Sequence, residues 1–370
     1  KAMLMTTTAL NLTRSQNGQK TNNDDMTHSA LNTLVSGDSL TQQQSHDVFE
    51  QVINGHVAPE RLAAILTALK MKGETPAEIA GAAIAIRANA TPFPTQTTAV
   101  ADCVGTGGDG ANTINISTTA AILAAACGLK MAKHGNRSVS SMSGSADLLE
   151  AFGVNLTMSP EVASQCLAQA NICFLYAPAY HTGFKHAAPV RKAMAIRTLF
   201  NILGPLVNPA KPDIMLLGVY IPELITPIAQ ALLLTGVKHA WVVHGSGLDE
   251  IALHGKTQVT EIDDGKLVQK DISPADFGLK NYTLADIKGG TPQENAEMVK
   301  AILAGKGQEA HNSAVIINCA ALLYLQREQL HGQADTLLLA AQHAAKVLSS
   351  GVAEKTLADL VRVSNSGVTV

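Results

Sequence analysis

A glycine-rich stretch at residues 102–119 is the strongest constraint on how this chain can fold. An apolar, strand-like run over 99–104 leads into four glycines within six residues, the first being Gly105 and the last Gly110. Polar residues and an alanine-rich segment over 120–126 follow. Glycines let a backbone approach an anion closely, and a helix start offers unpaired N–H groups. The order of strand, glycine turn, polar cap and helix therefore predicts a phosphate-binding loop.

Two familiar nucleotide motifs do not fit this loop. A dinucleotide-binding fold needs an acidic residue about 20 positions further on, and residues 126–130 contain none. A P-loop needs Lys and then Ser or Thr after Gly110, where Ala111 and Asn112 stand. We therefore expect a phosphate loop of another kind. Asp109 inside it would repel phosphate unless it accepts from a sugar hydroxyl, bonds a backbone turn, or lies near a metal.

A second polar loop, over 133–147, also follows a short apolar strand. It contains Lys133, Arg137 and several serines, and it ends at a cap-like Ser145 before a predicted helix. Such side chains can bind many anionic oxygens. Because the ends of successive parallel strands meet at one edge of a sheet, we expect the two loops to lie side by side.

Two further segments carry polar chemistry. Residues 181–191 lead into a helix predicted over 187–199, on which Arg191 could hold a carboxylate through two parallel bonds. Residues 242–250 form a buried strand, a Gly-Ser-Gly turn and the adjacent acids Asp249 and Glu250. An acid pair after a strand suits Mg²⁺, although acids also favour helix starts for their dipole alone.

The pattern of the chain predicts an α/β fold with a small all-helical domain and a larger α/β domain. We expect a disordered tail over 1–26 and a helical domain over 27–97, with roughly 188–212 added to it. Residues 98–187 and 213–370 alternate strands with helices, which predicts a largely parallel central sheet. Six strands are expected, over 99–104, 129–133, 172–176, 214–219, 239–244 and 257–262. Prolines at 92, 94, 205 and 209 stiffen the links, and the loop that ends at Pro209 reads as a hinge.

Composition limits the class of protein. Hydrophobic residues make up 46% of the 370 and charged residues 15%, and the net charge is −3. This balance argues against a general nucleic-acid binder, which is usually basic. No apolar run reaches the length of a membrane span, so no membrane association is expected. Five cysteines without a CxxC pair indicate buried free thiols in a reducing cytoplasm.

Taken together, these segments resemble the anthranilate phosphoribosyltransferase family, within the nucleoside phosphorylase-like transferases. The resemblance covers the chain from about residue 27. It rests on GTGGDG…TINIST, KHGNRSVSS…GSAD, RTLFNILGPLVNP and the acid pair after HGSGL, in the family's order. It implies substrates in a cleft between two hinge-linked domains and a homodimer formed through the helical domain. It also implies transfer of the phosphoribosyl group of phosphoribosyl pyrophosphate to anthranilate, with Mg²⁺.

The resemblance also implies roles for individual residues. Phosphoribosyl pyrophosphate would be held by Gly105, Gly108, Asp109, Thr113, Asn115, Ser117, Thr118, Lys133, Asn136, Arg137, Ser141 and Ser145, with Ile116 and Gly135 in the same substrate-binding set. Metal would be bound by Ser117, Asp249 and Glu250. Anthranilate would be contacted by Gly105, Asn136 and Arg191, with His134 and His181 near its path. The family usually has Leu-Gly where Met194 and Ala195 stand, off the implied ligands.

Two alternatives remain open at this point. A pyrimidine nucleoside phosphorylase has a similar architecture and a glycine-rich anion loop. A non-catalytic relative on the same fold could bind nucleic acid, and would be expected to have a basic surface and a damaged acid pair. The acidic net charge and the intact Asp249 and Glu250 argue against the second.

Overall fold

The computed structural model describes residues 25–138 and 143–366. The chain divides into two compact units. The first contains the residues up to Ala90 together with His181–Leu203, and the second contains Thr91–Tyr180 and Gly204–Val370. Each unit is therefore built from two separate stretches of chain.

The first unit is helical throughout its described residues. Its helices are α1 over 25–35, α2 Gln42–Ile53, α3 Pro59–Lys72, α4 Pro76–Ala88, α9 Phe184–Met194 and the short α10 Phe200–Leu203. Proline stands at the start of α3 and of α4, where its missing N–H costs nothing. Thr75 and Glu78 form the predicted capping box at the start of α4.

Glu78 joins α4 to the segment before α2. Its buried carboxylate accepts the N–H groups of Thr75 at 2.8 Å and Leu40 at 2.9 Å, and it pairs with Lys72 at 2.9 Å. A buried charge is tolerated when it is paired and hydrogen-bonded in this way.

The small residues of α4 pack inside the unit. Ala80, Ala82, Ala83 and Ala85 have no exposed surface. A Cβ at Gly81 would meet the main-chain oxygen of Gln42, so α2 and α4 approach closely at this glycine. Helix α4 is thus a core helix of the first unit.

Three aromatic rings join the second stretch of the first unit, His181–Leu203, to its N-terminal helices. The Phe200 ring lies edge-on to Phe49 at 5.8 Å and to Phe184 at 5.6 Å between centroids. The helix predicted over 187–199 instead starts at Phe184 and ends at Met194, because Ala195 takes a left-handed conformation with φ 51°. Arg197 consequently lies outside it.

The second unit contains a seven-stranded sheet within the described residues. Its strands are β1 Ala101–Gly105, β2 Met131–Gly135, β3 Ile172–Tyr176, β4 Ile214–Gly218, β5 His239–His244, β6 Thr257–Asp263 and β7 Lys266–Ile272. The order is β3-β2-β1-β4-β5-β6-β7. The first five strands in this order, β3, β2, β1, β4 and β5, pair in parallel. Strand β6 pairs antiparallel with β5 on one side and with β7 on the other. The predicted α/β fold with a largely parallel sheet is confirmed.

Strand β7 is the element that the strand prediction missed. Most of its residues are at least partly exposed, so it lacks the apolar run of a buried strand. The available signal was Asp264-Gly265 between two strand-like segments, which is typical of a tight hairpin. Both residues have positive φ, 43° and 83°.

Helices surround this sheet. They are α5 Ile116–Ala126, α6 Ser145–Ala151, α7 Pro160–Ala170, α8 Ala177–Tyr180, α11 Ile225–Leu234, α12 Pro292–Leu303, α13 Glu309–Leu325, α14 Leu337–Ser349 and α15 Val352–Ser364. Almost every residue of α5 and α13 is buried in one continuous core with the sheet. A helix that is apolar on all sides is expected at the centre of a domain.

The bounds of the two units differ from the expected 27–97 and 188–212. Residues 91–97 count with the second unit, where the N–H of Thr91 bonds the carbonyl of Tyr180 at 2.8 Å and Phe93 packs on the core. Residues 204–212 also count there, since Asn208 bonds into the sheet. Of the expected tail 1–26, residues 1–24 lie outside the described residues, and 25–26 are helical.

Across the described residues, no helix combines the length and the apolar character that a bilayer crossing requires.

Gly81→Ala should lower the free energy of unfolding by about 1–2 kcal/mol. The new Cβ forces α2 away from α4, and the better helix propensity of Ala offsets only part of that cost. Urea unfolding followed by circular dichroism measures the change. Gly204→Ala is the matched control, because a Cβ at Gly204 meets no atom within 4 Å. Equal stability of the two variants would contradict the close helix contact.

Candidate active site

Four loops of the second unit leave the same edge of the sheet. Strands β1, β2, β4 and β5 run parallel, so the segments that follow them start side by side. The glycine-rich loop follows β1, the basic loop follows β2, and the acid pair follows β5. The expectation that the first two loops are neighbours is confirmed by the pairing of β1 with β2.

The glycine-rich loop is shaped by left-handed residues and by Asp109. Gly107, Gly108 and Gly110 have φ values of 68°, 82° and 73°. The Asp109 carboxylate accepts the N–H of Ala111 at 3.0 Å, which makes it a brace for its own turn. Its other oxygen accepts the N–H of Asp249 at 3.4 Å. Of the three roles considered for Asp109, the backbone turn is thus observed.

Two glycines at the ends of adjacent strands make room for Asp249. Gly105 of β1 lies opposite Gly218 of β4 in the pairing register. A Cβ at Gly105 would overlap the carboxylate of Asp249, and one at Gly218 would overlap its main-chain carbonyl. Gly105 therefore has a steric reason to be glycine beyond any contact with a ligand.

Asp109, Asp249 and Glu250 form a loose acid cluster, in which the three carboxylates interact but their oxygens do not all lie within 4.8 Å of one another. Asp249 accepts the N–H of Gly107 at 2.6 Å, and Glu250 accepts the N–H of Ser117, at the start of α5, at 3.1 Å. Burial, followed by the nearby Asp109 carboxylate, raises the pKa of Asp249 to about 7. Burial, followed by Asp249, raises the pKa of Glu250 well above its usual range. Buried carboxylates that interact in this way favour either a proton or a cation among them.

Lys133 supplies positive charge behind the cluster. The residue is 2% exposed, and its Nζ donates to the carbonyl of Cys103 at 2.5 Å. Its charge opposes the effect of burial on the pKa values of Asp102 and Glu250. A lysine held in this way lies between strands β1 and β2, at the base of both loops.

The start of the basic loop is tied to α6. The carbonyl of Asn136 accepts the hydroxyl of Ser145 and the N–H of Ala146, each at 3.2 Å. A Cβ at Gly135 would meet the Ser145 hydroxyl and the Phe174 ring. His134 is 3% exposed, and its main-chain N–H donates to the carboxylate of Asp102 at 3.4 Å.

Arg137 is bound by acids of α6 in this structure. Its guanidinium makes two bonds of 2.7 Å to Glu150 and one of 3.0 Å to Asp147. These bonds raise the pKa of Arg137 and help to lower the pKa values of both acids. Asp147 also caps the loop by accepting the N–H groups of Ser138 and Gly144. Ser141 lies outside the described residues.

The segment from Thr113 to Thr118 is mostly bound to protein. Thr113 pairs with Lys288 in a short antiparallel bridge. The side-chain amide of Asn115 donates to the carbonyl of Ser143 at 3.0 Å and accepts from Asn295 at 2.9 Å. Ile116 and Thr118 are each 2% exposed. Both side chains are therefore buried within the protein.

His181 and Arg191 belong to the first unit. His181 is 4% exposed and lies edge-on to Phe184 at 5.8 Å. The Arg191 guanidinium lies 5.3 Å from the centre of the Phe200 ring, and partial burial lowers its pKa. The ring restricts the directions in which this cation can bind an anion.

Several residues that hold the site together escaped the sequence analysis. Asp102 is fully buried and accepts the Asn208 amide at 2.8 Å, and Asn208 also donates to the carbonyl of Ala132 at 2.7 Å. Lys288 donates to the carbonyl of Ala111 at 2.6 Å. The available signal was a charged residue within an apolar strand, Asp102. Gly218, Lys288 and Asn295 had no such signal, because their partners are distant in sequence.

Comparison with known proteins gives consistent matches. The model described as "Glycosyl transferase family, a/b domain" matches residues 97–354, and "Glycosyl transferase family, helical bundle domain" matches 28–90. The anthranilate phosphoribosyltransferase of Colwellia psychrerythraea is 72% identical over 91% of this chain and 92% of that protein.

Solved structures agree with these matches. The anthranilate phosphoribosyltransferase of Thermus thermophilus superposes with a TM-score of 0.85 at 39% identity, covering 91% of this chain and 99% of that one. The Saccharomyces cerevisiae enzyme, in complex with PRPP and Mg, superposes with a TM-score of 0.83 at 30% identity, covering 92% and 98%.

As pH rises from 5 to 8, the free energy of unfolding of the Asp249→Asn variant should increase relative to that of the parent chain. The pKa of Asp249 is raised to about 7, so its favourable contribution is complete below about pH 4 and is lost as pH rises through 7. The gap in unfolding free energy should widen by about 2–4 kcal/mol, since one pKa unit is worth about 1.4 kcal/mol.

Urea unfolding at each pH, with EDTA to remove divalent ions, measures this gap. Asp38→Asn, the same change at an exposed carboxyl, is the control. A gap that stays constant for Asp249→Asn would contradict the acid cluster.

Proposed function

Because the chain belongs to the family of anthranilate phosphoribosyltransferases, we propose that it transfers the phosphoribosyl group of phosphoribosyl pyrophosphate to the amine of anthranilate. The products are N-(5′-phosphoribosyl)anthranilate and pyrophosphate, a step of tryptophan biosynthesis. Mg²⁺ is the proposed cofactor.

The acid cluster between the glycine-rich loop and the start of α5 carries this proposal. Asp109, Asp249 and Glu250 offer only oxygen ligands, which suit Mg²⁺. Burial and then the neighbouring carboxylates raise the pKa values of Asp249 and Glu250, and Lys133 offsets the effect on Glu250 only in part. These observations fit a divalent cation, held by Asp249 and Glu250 with the Ser117 hydroxyl nearby. Bound Mg²⁺ would neutralise charge on the pyrophosphate as it leaves.

The chain's own donors hold the anionic substrate. The left-handed conformations of Gly107, Gly108 and Gly110 shape the loop for a close approach of an anion, and α5 adds the positive end of its dipole. Lys133 is held at the base of both loops by its bond to the carbonyl of Cys103. Asn136, Arg137, Ser141 and Ser145 of the basic loop are proposed ligands of the phosphate oxygens. For Arg137 this role requires exchange of Glu150 and Asp147 for phosphate.

Phosphoribosyl transfer requires mainly that the two substrates are positioned and that the charge of the leaving group is stabilised. The ribose C1–O bond breaks and pyrophosphate leaves with the electron pair. The anthranilate nitrogen then forms the C1–N bond and releases a proton. Fixed N–H groups and cations lower the barrier where negative charge develops on the leaving group. His134 is proposed to position the substrates rather than to act as an obligatory base.

Arg191 is the proposed ligand of the anthranilate carboxylate. A guanidinium matches a carboxylate through two parallel bonds, and the Phe200 ring at 5.3 Å limits its motion. Gly105 and Asn136 are proposed contacts of the same substrate, with His181 near its path.

We further propose a homodimer formed through the first unit. Val35 and Met71 of this unit, at the ends of α1 and α3, are 72% and 83% exposed, and Ile196 is 53% exposed. The proposal rests on the resemblance to the family and on these exposed apolar side chains, which would mark a partner surface where they form one contiguous patch. The five cysteines are free, four of them buried, which agrees with the proposed cytoplasmic location.

A fluorescence assay of phosphoribosylanthranilate formation, with and without Mg²⁺, tests the activity. The double change Asp249→Asn with Glu250→Gln should reduce Mg²⁺-dependent turnover at least about 100-fold, because two charged ligands are lost. The matched control is Asp335→Asn with Glu354→Gln, the same two changes at exposed acids of the second unit. Full activity of the first variant at the same Mg²⁺ concentration would refute the metal role. Phosphorolysis of thymidine by the parent chain would favour a pyrimidine nucleoside phosphorylase instead.

Arg191→Ala should raise the KM for anthranilate about 10- to 100-fold, the worth of a charge-assisted double hydrogen bond. The KM for phosphoribosyl pyrophosphate should change little. Steady-state kinetics with each substrate varied in turn measure both constants. Lys192→Ala, at the exposed neighbour on α9, is the control. Equal changes in the two KM values would rule out the carboxylate role.

A further inference from the structure

Asn295, near the start of α12, is a buried polar residue to which no role has been given above. It is 2% exposed, and its amide is used at both ends. Its oxygen accepts the N–H of Gly290 at 2.7 Å, and its nitrogen donates to the Asn115 oxygen at 2.9 Å. Because a buried amide is costly unless bonded, this geometry fixes which end points to which partner.

The hydrogen bonds continue through Asn115 into the basic loop. The nitrogen of Asn115 donates to the carbonyl of Ser143 at 3.0 Å, two residues before α6. Asn115 itself is the residue just before α5, which begins at Ile116. A single line of amides therefore joins the residue before α5 to the loop before α6, with Asn295 at its far end.

The segment around Gly289 holds the other side of the glycine-rich loop. Lys288 pairs with Thr113, and the N–H of Gly289 bonds the carbonyl of Asn112 at 2.9 Å. A Cβ at Gly289 would meet the carbonyl of Thr113 at 2.5 Å and the Asn295 oxygen at 2.6 Å. Asn295 thus bonds to Gly290, in the segment that holds the glycine-rich loop, and to Asn115, whose side chain reaches the basic loop.

We propose that Asn295 is a positioning residue, which through Asn115 sets the spacing of the two phosphate-binding loops. Asn295 acts without touching substrate in this scheme, and Asn115 serves as the link rather than as a side-chain ligand. The inference rests on the proposed function, because it assigns phosphoribosyl pyrophosphate to these loops. A fixed spacing matters since charge-assisted bonds to phosphate lose strength when donors shift by about 1 Å.

Asn295→Asp tests this role with a side chain of the same shape. The carboxylate still accepts from Gly290, but it replaces the donor to Asn115 with an acceptor, which breaks the line of amides. The KM for phosphoribosyl pyrophosphate should rise about tenfold, the effect of a lost buried hydrogen bond, and the KM for anthranilate should change less than twofold. Asn312→Asp, at an amide that donates to the Gly307 carbonyl at 3.1 Å, is the matched control and should leave both constants unchanged.

A double-mutant cycle separates positioning from general destabilisation. If Asn295 acts through Asn115, then Asn115→Ala combined with Asn295→Asp should be no worse than Asn115→Ala alone. Multiplied effects of the two changes would overturn the proposal, as would an unchanged KM for phosphoribosyl pyrophosphate in Asn295→Asp. Asn295→Ser, a milder change, replaces Asn295→Asp in the cycle if the latter does not fold.

Calorimetric titration with phosphoribosyl pyrophosphate and Mg²⁺ distinguishes this inference from the proposed function. Failure of the parent chain to bind phosphoribosyl pyrophosphate would overturn both. Binding by the parent chain with equal affinity in Asn295→Asp would overturn only the positioning role. About tenfold weaker binding in Asn295→Asp, at a temperature at which circular dichroism shows the variant to be folded, would support it.

Discussion

The burial of the neighbouring acids Asp109, Asp249 and Glu250 is the constraint on which the rest of the site depends. Burial raises the pKa values of Asp249 and Glu250, and repulsion among the three carboxylates adds to that effect. The fold keeps them together by directing main-chain N–H groups at all three. Gly105 and Gly218 leave the space that Asp249 occupies. An arrangement so costly without a cation is understandable when a divalent ion and a polyphosphate complete it.

The parallel sheet is what brings these groups to one edge. Strands β1, β2, β4 and β5 each end where a functional loop or its supporting glycine begins. Behind the loops, fully or nearly buried polar residues carry the geometry: Lys133 at the base, Asp102 with Asn208, and Asn295 with Asn115. Preorganised donors of this kind stabilise developing charge without rearrangement.

The sequence predicted the fold class, six of the seven strands and the neighbouring positions of the glycine-rich and basic loops. It could do so because these features depend on local patterns: apolar runs, glycines and caps. It missed β7, whose exposed residues carry no apolar run, and it extended the helix at 187–199 past the left-handed Ala195. The assignments of Asn115 and Arg137 as ligands take no account of the protein partners that both side chains have in the structure.

By itself, the sequence determined the chemistry available at this site: an anion loop, a basic loop and an acid pair, in the order that the family shares. Only the tertiary structure decided which residues hold the site in place. Asp109 braces its own turn, Gly218 makes room for Asp249, and Asn295 reaches Asn115 across 180 residues of chain. The physical reason is that a local pattern reflects backbone propensity and burial, whereas a hydrogen bond between distant residues exists only once the sheet has brought them together.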